Sequence, residues 1–233
     1  MTARGLAATR SEAENWIRLG RVRVNGALVR KPGEFVQDDA PVSLDAPERY
    51  VSRAGLKLAG AARALRVNFT DAVVLDVGSS TGGFTDYALQ HGARKVIAVD
   101  VGTDQLHPSL RGNPRLELYE KTDIRGFIPS ERPTIVVIDV SFISLREILP
   151  AVAGIVARNA TVLAMVKPQF EAGKGQLGSS GVVKNDTVRR QILKDFEQWA
   201  KQRFVITDKV DSTVPGAHGN VERFYALRPI DKT

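Results

Sequence analysis

Cysteine is absent from this 233-residue chain. That gap excludes disulfides, thiolate metal sites and cysteine nucleophiles together. No apolar run approaches the roughly 18–20 residues needed to span a bilayer, and the N-terminus shows no signal-peptide hydrophobic region. A long basic amphipathic helix with an aromatic face, the mark of a membrane-surface segment, is also missing. The three histidines, His91, His107 and His218, lie in turn-like stretches, and no histidine or carboxylate cluster has metal-ligand spacing. These absences point to the cytoplasm, with no membrane partner, no metal and no indication of an obligate protein partner.

What is present is an apolar fraction of 43%, enough for a packed core, and a net charge of +7. The length suits one large domain, or one of roughly 150–190 residues with a small appendage. The charge is unevenly spread. Arg4, Arg10, Arg18, Arg21, Arg23, Arg30 and Lys31 stand against only Glu12 and Glu14, so five of the seven net positive charges fall in the first 31 residues. Ser11 is suited to cap a helix with Glu14 in the capping-box position, and Ala13, Trp16, Ile17 and Gly20 follow at helical spacing. Val22-Arg-Val24 then alternates into an Asn25-Gly26 turn, and Val29, Phe35 and Val42-Ser-Leu44 suggest further short strands. Bare runs of arginine usually line a solvated face. Flanking a compact helix–strand–turn unit, they favour contact with phosphates.

The rest of the chain is organised around Val73–Phe84, VVLDVGSSTGGF. An apolar run ends in Asp76, and Gly78-Ser79-Ser80-Thr81-Gly82-Gly83-Phe84 leads into a helix-compatible stretch. Such a turn brings a ligand close to bare backbone and to a helix N-terminus. Glycine-rich turns of this kind are common, but a second apolar run ends in Asp100, about two dozen residues on. There a doubly wound sheet places the acid that takes up a ribose diol. The pattern DxGxxxGG differs from the dinucleotide GxGxxG and fits S-adenosylmethionine better than NAD.

Residues 45–49 read as a linker, followed by a helix through Arg53, Lys57 and Leu65. Further strands are expected at 115–118, 133–138, 161–166, 205–207 and 221–227, with helices at 145–156 and 188–201. The glycine-rich stretch 172–185 suggests a mobile loop over the site. The alternation of strand and helix predicts an open α/β sheet with Asp76, Asp100, Asp139 and Lys167 at its carboxyl edge. Asp123 also falls at a strand's carboxyl end, where a nucleoside base would lie. Pyrimidine C5 methylation normally needs a cysteine, and Asp139-Val-Ser-Phe142 replaces the Asn/Asp-Pro-Pro-aromatic motif of amine methylases. An oxygen acceptor remains. A hydroxyl of this kind needs a base or a polarising cation, and Lys167, oriented by Asp139 and Glu222, suits that role.

Two resemblances follow from these residues. Gly5-Leu-Ala, Arg10, Ala13, Ile17 and Gly20-Arg-Val-x-Val-Asn25-Gly26 resemble the S4 RNA-binding domain, which usually opens with another turn or two of helix. The module is therefore expected to be shortened at its N-terminus. Arg53-Ala-Gly-Leu-Lys57, Leu75–Phe84, Asp139-Val-Ser-Phe142, Lys167-Pro-Gln-Phe170 and Gly219-Asn-Val-Glu222 resemble the TlyA family. That resemblance implies a Rossmann-like methyltransferase sheet at 51–233, a linker at 46–50 and a small α+β S4-like domain at 1–45. It implies S-adenosylmethionine as cofactor and 2'-O-methylation of cytidine in ribosomal RNA, free or within ribosomal subunits. It places a catalytic tetrad on Lys57, Asp139, Lys167 and Glu222. By the same resemblance Asp76, Gly78, Ser79, Ser80, Gly82, Gly83 and Phe84 contact the methionine part, with Asp139 beside them. Asp100 and Val101 take the ribose, and Asp123 the adenine. RNA contacts are expected from Arg4, Arg10, Arg18, Arg21, Arg23 and Arg53. A membrane-active cytolysin, suggested by the haemolysin name many family members carry, and an RNA-binding protein with an inactive methyltransferase fold are the alternatives.

Overall fold

The computed structural model describes residues 1–4, 6–7, 10–44, 50–173, 175–178, 181–183, 185–216 and 219–230. Gly5, the linker at 45–49 and His218 lie outside the described residues, as do Lys174, Ser179, Ser180 and Lys184 of the expected loop. The chain divides into two compact units, Met1–Arg49 and Tyr50–Thr233.

In the first unit, α1 (Arg10–Arg18) precedes β1 (Val22–Val24), β2 (Ala27–Val29) and β3 (Val42–Leu44). The strands pair antiparallel in the order β2-β1-β3. Asn25 (φ 52°) and Gly26 (φ 79°) take the left-handed conformations that a two-residue hairpin requires, which sets Val24 opposite Ala27. Ala13, Trp16, Val22 and Val29 are buried. Two local expectations fail. The helix already includes Arg10, so Ser11 lies inside it rather than capping it. Glu14 pairs with Arg10 one turn back at 3.3 Å instead of closing a capping box. Phe35 is in no strand; it is fully exposed, two residues past Gly33, whose φ of 86° turns the chain.

The second unit begins with Tyr50, which the sequence assigns to the linker but which is buried against Tyr87, ring centroids 5.5 Å apart. α2 (Arg53–Ala64) leads to β4 (Val73–Val77), α3 (Gly83–Gln90), β5 (Lys95–Val99) and β6 (Leu116–Tyr119). Then come β7 (Ile135–Ile138), α4 (Leu145–Ile155), β8 (Thr161–Val166), α5 (Pro168–Glu171), α6 (Asp186–Ala200), β9 (Phe204–Asp211) and β10 (Arg223–Pro229). The sheet order is β6-β5-β4-β7-β8-β10-β9. Neighbours from β6 to β8 are parallel, and β10 runs antiparallel to both its neighbours.

Helices cover both faces of this sheet, so its central strands, Asp76 of β4 apart, read as apolar runs with no alternation in sequence. The structure supplies the parity. Val73, Leu75 and Val77 belong to one apolar layer with Leu149 and Val152 of α4 and Phe196 of α6. Val74 belongs to the other, with Leu58 of α2 and Ala88 of α3. Each such side chain taken fully from water contributes about 1.5–3 kcal/mol.

Chain order reverses at β4: β5 and β6 lie to one side, β7 and β8 to the other. The carboxyl ends of β4 and β7 therefore meet where ligands of open α/β sheets bind. Gly78 (φ 80°) closes that junction. A Cβ there would lie 2.6 Å from the Asp139 carbonyl oxygen. Gly78→Ala combines a left-handed backbone with a backbone clash, and is expected to cost about 2–4 kcal/mol. Urea denaturation of the variant checks this; an unchanged midpoint would refute it.

Candidate active site

Three neighbouring strands, β4, β5 and β7, deliver three carboxylates to one sheet edge. Asp76, 1% exposed, lies within β4, and its Oδ2 accepts the Thr85 hydroxyl at 2.7 Å. Its Oδ1 is buried without a hydrogen-bond partner, as is Ser79 Oγ. Asp100 follows β5; one oxygen accepts the Ser80 amide (2.8 Å) and the other the Gly102 amide (2.7 Å). Asp139 follows β7. A cleft of about 170 Å³ runs among Ala54, Asp76, Ser79, Thr81, Asp139 and Lys167. Gly78, Ser80 and Phe84 also line it, although most of the Phe84 ring is buried, 6.1 Å from Phe224. Gly82 (φ 90°) caps α3, and at Gly83 a Cβ would strike Ser52 Oγ and crowd the Gly55 amide. The first turns of α2 and α3 thus pack backbone to backbone, bringing Lys57 to this edge.

Four charged side chains converge there as two ion pairs. Lys57 Nζ donates to Glu222 Oε2 at 2.5 Å, and Lys167 Nζ lies 2.6 Å from Asp139 Oδ1. Lys167 also donates to Ser141 Oγ at 2.7 Å. All four are largely withdrawn from solvent, Glu222 most completely at 3% side-chain exposure. Glu222 reaches the edge because β10 is inverted: its first residue, Arg223, pairs with Val166, the residue before Lys167. From the sequence, Glu222 is expected to orient Lys167 directly. Its hydrogen-bonded partner is Lys57, because α2 carries that ammonium to the start of β10. Burial pushes the Glu222 carboxyl above its ordinary value, and Lys57 pulls it back.

The other expected residues are spread more widely. Val101 is 73% exposed just beyond Asp100. Asp123 starts a short 3-10 turn and is gripped by the Arg125 guanidinium at 2.6 Å, which together with the Arg125 amide holds its carboxyl down to about 2. Arg53 donates to the Pro215 carbonyl at 2.7 Å. On the first unit Arg10, Arg18, Arg21 and Arg23 are exposed, while Arg4 donates to the carbonyls of Asp38 and Ala40 and so serves the fold. Within the expected loop, Val183 donates to Asn220 Oδ1 at 3.1 Å. No group of three or more histidine, aspartate or glutamate side chains among the described residues could hold a metal ion.

Sequence reasoning missed Thr85, Ser141 as a lysine ligand, and Phe142 as more than a motif letter. Phe142 is 92% exposed with φ 65°, a costly arrangement for an aromatic residue, and its ring lies 5.2 Å from that of Phe170. Nothing local in the sequence signals a left-handed phenylalanine.

Comparison with known proteins agrees with this architecture. Residues 50–228 match the FtsJ-like methyltransferase model and residues 1–42 the S4 domain model. The 16S/23S rRNA (cytidine-2'-O)-methyltransferase TlyA of Mycobacterium tuberculosis is 41% identical over 98% of this chain and 87% of its own length. A solved Streptococcus thermophilus protein bearing a hemolysin name superposes with a TM-score of 0.79 at 38% identity, covering 99% of this chain and 87% of that one. The N-methyltransferase NodS of Bradyrhizobium japonicum, in complex with S-adenosyl-L-homocysteine, shares the fold at 12% identity, with a TM-score of 0.53 over 75% of this chain and 87% of its own.

Burial, together with the nearby charges of Asp139 and Asp100, raises the Asp76 carboxyl from its ordinary 3.8 to about 7 against the Thr85 bond. Between those values the folded chain keeps a proton that the unfolded chain has lost. Stability therefore falls as pH rises from about 4 to about 7, by up to about 1.4 kcal/mol per unit from this group. Asp76→Asn should flatten that slope in denaturation curves measured from pH 5 to 7.5; an unaltered slope would refute the assignment.

Proposed function

The chain belongs to the TlyA family, in which an S4 domain precedes an FtsJ-like methyltransferase domain, and from that premise we propose that it methylates the 2'-hydroxyl of a cytidine in ribosomal RNA. One observation carries this reading: two lysine–carboxylate pairs stand at the sheet edge where the glycine turn leaves Asp76 Oδ1 and Ser79 Oγ buried without partners. The related Mycobacterium tuberculosis enzyme names the reaction and the large- and small-subunit RNAs. Ribosomal RNA as substrate puts the work of this chain in the cytoplasm.

S-adenosylmethionine fits the residues present. Buried polar atoms lacking a partner are costly and call for one, and two such atoms, Asp76 Oδ1 and Ser79 Oγ, belong to residues that line the cleft. When bound, the cofactor supplies an electrophilic methyl group on a sulfonium centre. Asp76, Gly78, Ser79, Ser80, Gly82, Gly83 and Phe84 would hold its methionine part, Asp100 and Val101 its ribose, and Asp123 its adenine.

The protein's own chemistry concerns a proton. A ribose hydroxyl is a poor nucleophile until its proton is taken up or polarised. Lys167 Nζ, fixed by Asp139 and Ser141, performs that step. Lys57, fixed by Glu222, steadies the acceptor. Fixed dipoles and charges in a site withdrawn from water act without the reorganisation that solvent would need. Arg53, exposed in part beside Glu222, and Arg10, Arg18, Arg21 and Arg23 of the first unit contact RNA phosphates.

Purified protein incubated with radiolabelled methyl donor and, separately, 30S subunits, 50S subunits and naked RNA should place label in 2'-O-methylcytidine after digestion to nucleosides. Lys167→Ala should abolish that label while cofactor affinity by calorimetry stays within a few-fold. Near-normal turnover of the variant would remove Lys167 from its role. Replacing Arg18, Arg21 and Arg23 should weaken RNA binding and flatten its salt dependence by about 0.7–0.9 log unit per lost phosphate contact. An unchanged slope would remove the first unit from RNA recognition.

A further inference from the structure

Two chain segments carry the Lys167–Asp139 pair, and they are bound together again three to six residues further along. The first is the β7–α4 connection, residues 139–144; the second is Lys167 with the single turn of α5. Ion pair and hydrogen bond join them at Lys167, to Asp139 (2.6 Å) and Ser141 (2.7 Å). The Phe142 and Phe170 rings meet next, 5.2 Å apart, with Lys167 Nζ 5.9 Å from the Phe170 centroid. Glu171 then closes the series. Its Oε2 accepts the Ser144 hydroxyl at 2.7 Å, and its Oε1 accepts the amide of Leu145, the first residue of α4, at 2.6 Å.

Glu171 is a costly choice for that place. Its side chain is 2% exposed, and its nearest cation, Arg146, stands at 3.5 Å. Burial raises its carboxyl, while Ser144 and the Leu145 amide lower it. Buried ionic groups are weak stabilisers and serve better to specify one arrangement over another. Here the arrangement is well defined. Pro168 fixes the backbone at the start of α5, and the Phe170 amide closes the turn onto the Lys167 carbonyl at 2.9 Å. Anchoring Glu171 to the N-terminus of α4 therefore sets where that turn, and Lys167 at its head, can sit relative to Asp139.

We propose that Glu171 is a positioning residue for methyl transfer: it locks the turn of α5 to the N-terminus of α4 and so holds Lys167 on Asp139 and Ser141. The proposal rests on the reading that Lys167 handles the proton of the acceptor. A catalytic group displaced by about 1 Å loses on the order of a hundredfold in rate.

The test compares Glu171→Ala, Glu171→Gln, Ser144→Ala and Lys167→Ala with the parent chain, using the ribosomal particle or RNA that takes label. Glu171→Ala should lower kcat between about tenfold and a hundredfold, with KM for RNA and cofactor affinity within about threefold. Hydrogen exchange at the Leu145 and Phe170 amides should rise in it. Glu171→Gln, whose amide oxygen still accepts a bond from Leu145 or Ser144, should recover most of the rate. Ser144→Ala, which removes one bond and leaves Glu171 in place, should show a smaller kcat loss, and it keeps the test alive if Glu171→Ala does not fold. Full rate in Glu171→Ala or, where that variant does not fold, in Ser144→Ala, equal loss in Glu171→Gln, or a loss carried by KM alone would overturn the proposal. A fully active Lys167→Ala would instead remove the reading beneath it.

Discussion

Like charges crowded at one edge of a parallel sheet repel one another, and the second unit is built around relieving that repulsion. Burial raises the proton affinity of Asp76 and Glu222, and the nearby charge of Asp139 raises both further. Two of them are neutralised by lysines that come from different parts of the chain, Lys57 from α2 and Lys167 from the end of β8. The third, Asp76, has no lysine partner, only hydrogen bonds from the Thr85 hydroxyl and backbone, and its carboxyl is raised to about 7. The edge is thus balanced where acceptor chemistry is proposed and left with carboxylate capacity where a cationic cofactor would rest. Differences in environment, rather than residue type, separate the roles of three chemically similar groups.

Close backbone approach makes that edge possible. Gly78 lets the turn after β4 touch the Asp139 carbonyl, and Gly83 lets α3 start against Gly55 of α2. Tyr50 fills the space over Gly55 from the other side, where a Cβ would lie 2.4 Å from its own. The Val51 amide donates to Asp86 of α3 at 2.8 Å, tying the segment ahead of α2 to the helix that follows the glycine turn. Lys57 therefore depends for its position on packing between two helix starts, and Lys167 on the turn that Glu171 anchors. Neither lysine is held by its ion pair alone.

The arginines of the first unit differ in what they touch. Arg4 spends its guanidinium on the carbonyls of Asp38 and Ala40, whereas Arg18 and Arg21 stand exposed at the end of α1 and the start of β1. A count of charges treats these as equivalent. Hydrogen-bond geometry separates a residue that closes a fold from residues free to meet phosphates.

Much of this was legible in the sequence. Asp76, Gly78, Gly82 and Asp100 could be read from an apolar run, a glycine turn and a second apolar run at a fixed spacing, because a strand–turn–helix unit is a local structure and its signals are local. The Asn25-Gly26 hairpin was legible for the same reason. Three things were decided only by the tertiary structure. The inversion of β10 brings Glu222 to the same edge as Lys167, and an apolar strand carries no mark of its direction. The pairing of Lys57 with Glu222 joins positions 165 residues apart, chosen by how α2 packs. The exposed, left-handed Phe142 and the buried Glu171 take their places from neighbours on another strand's connection. Local pattern determines which elements form and where they turn; long-range packing determines which charges meet.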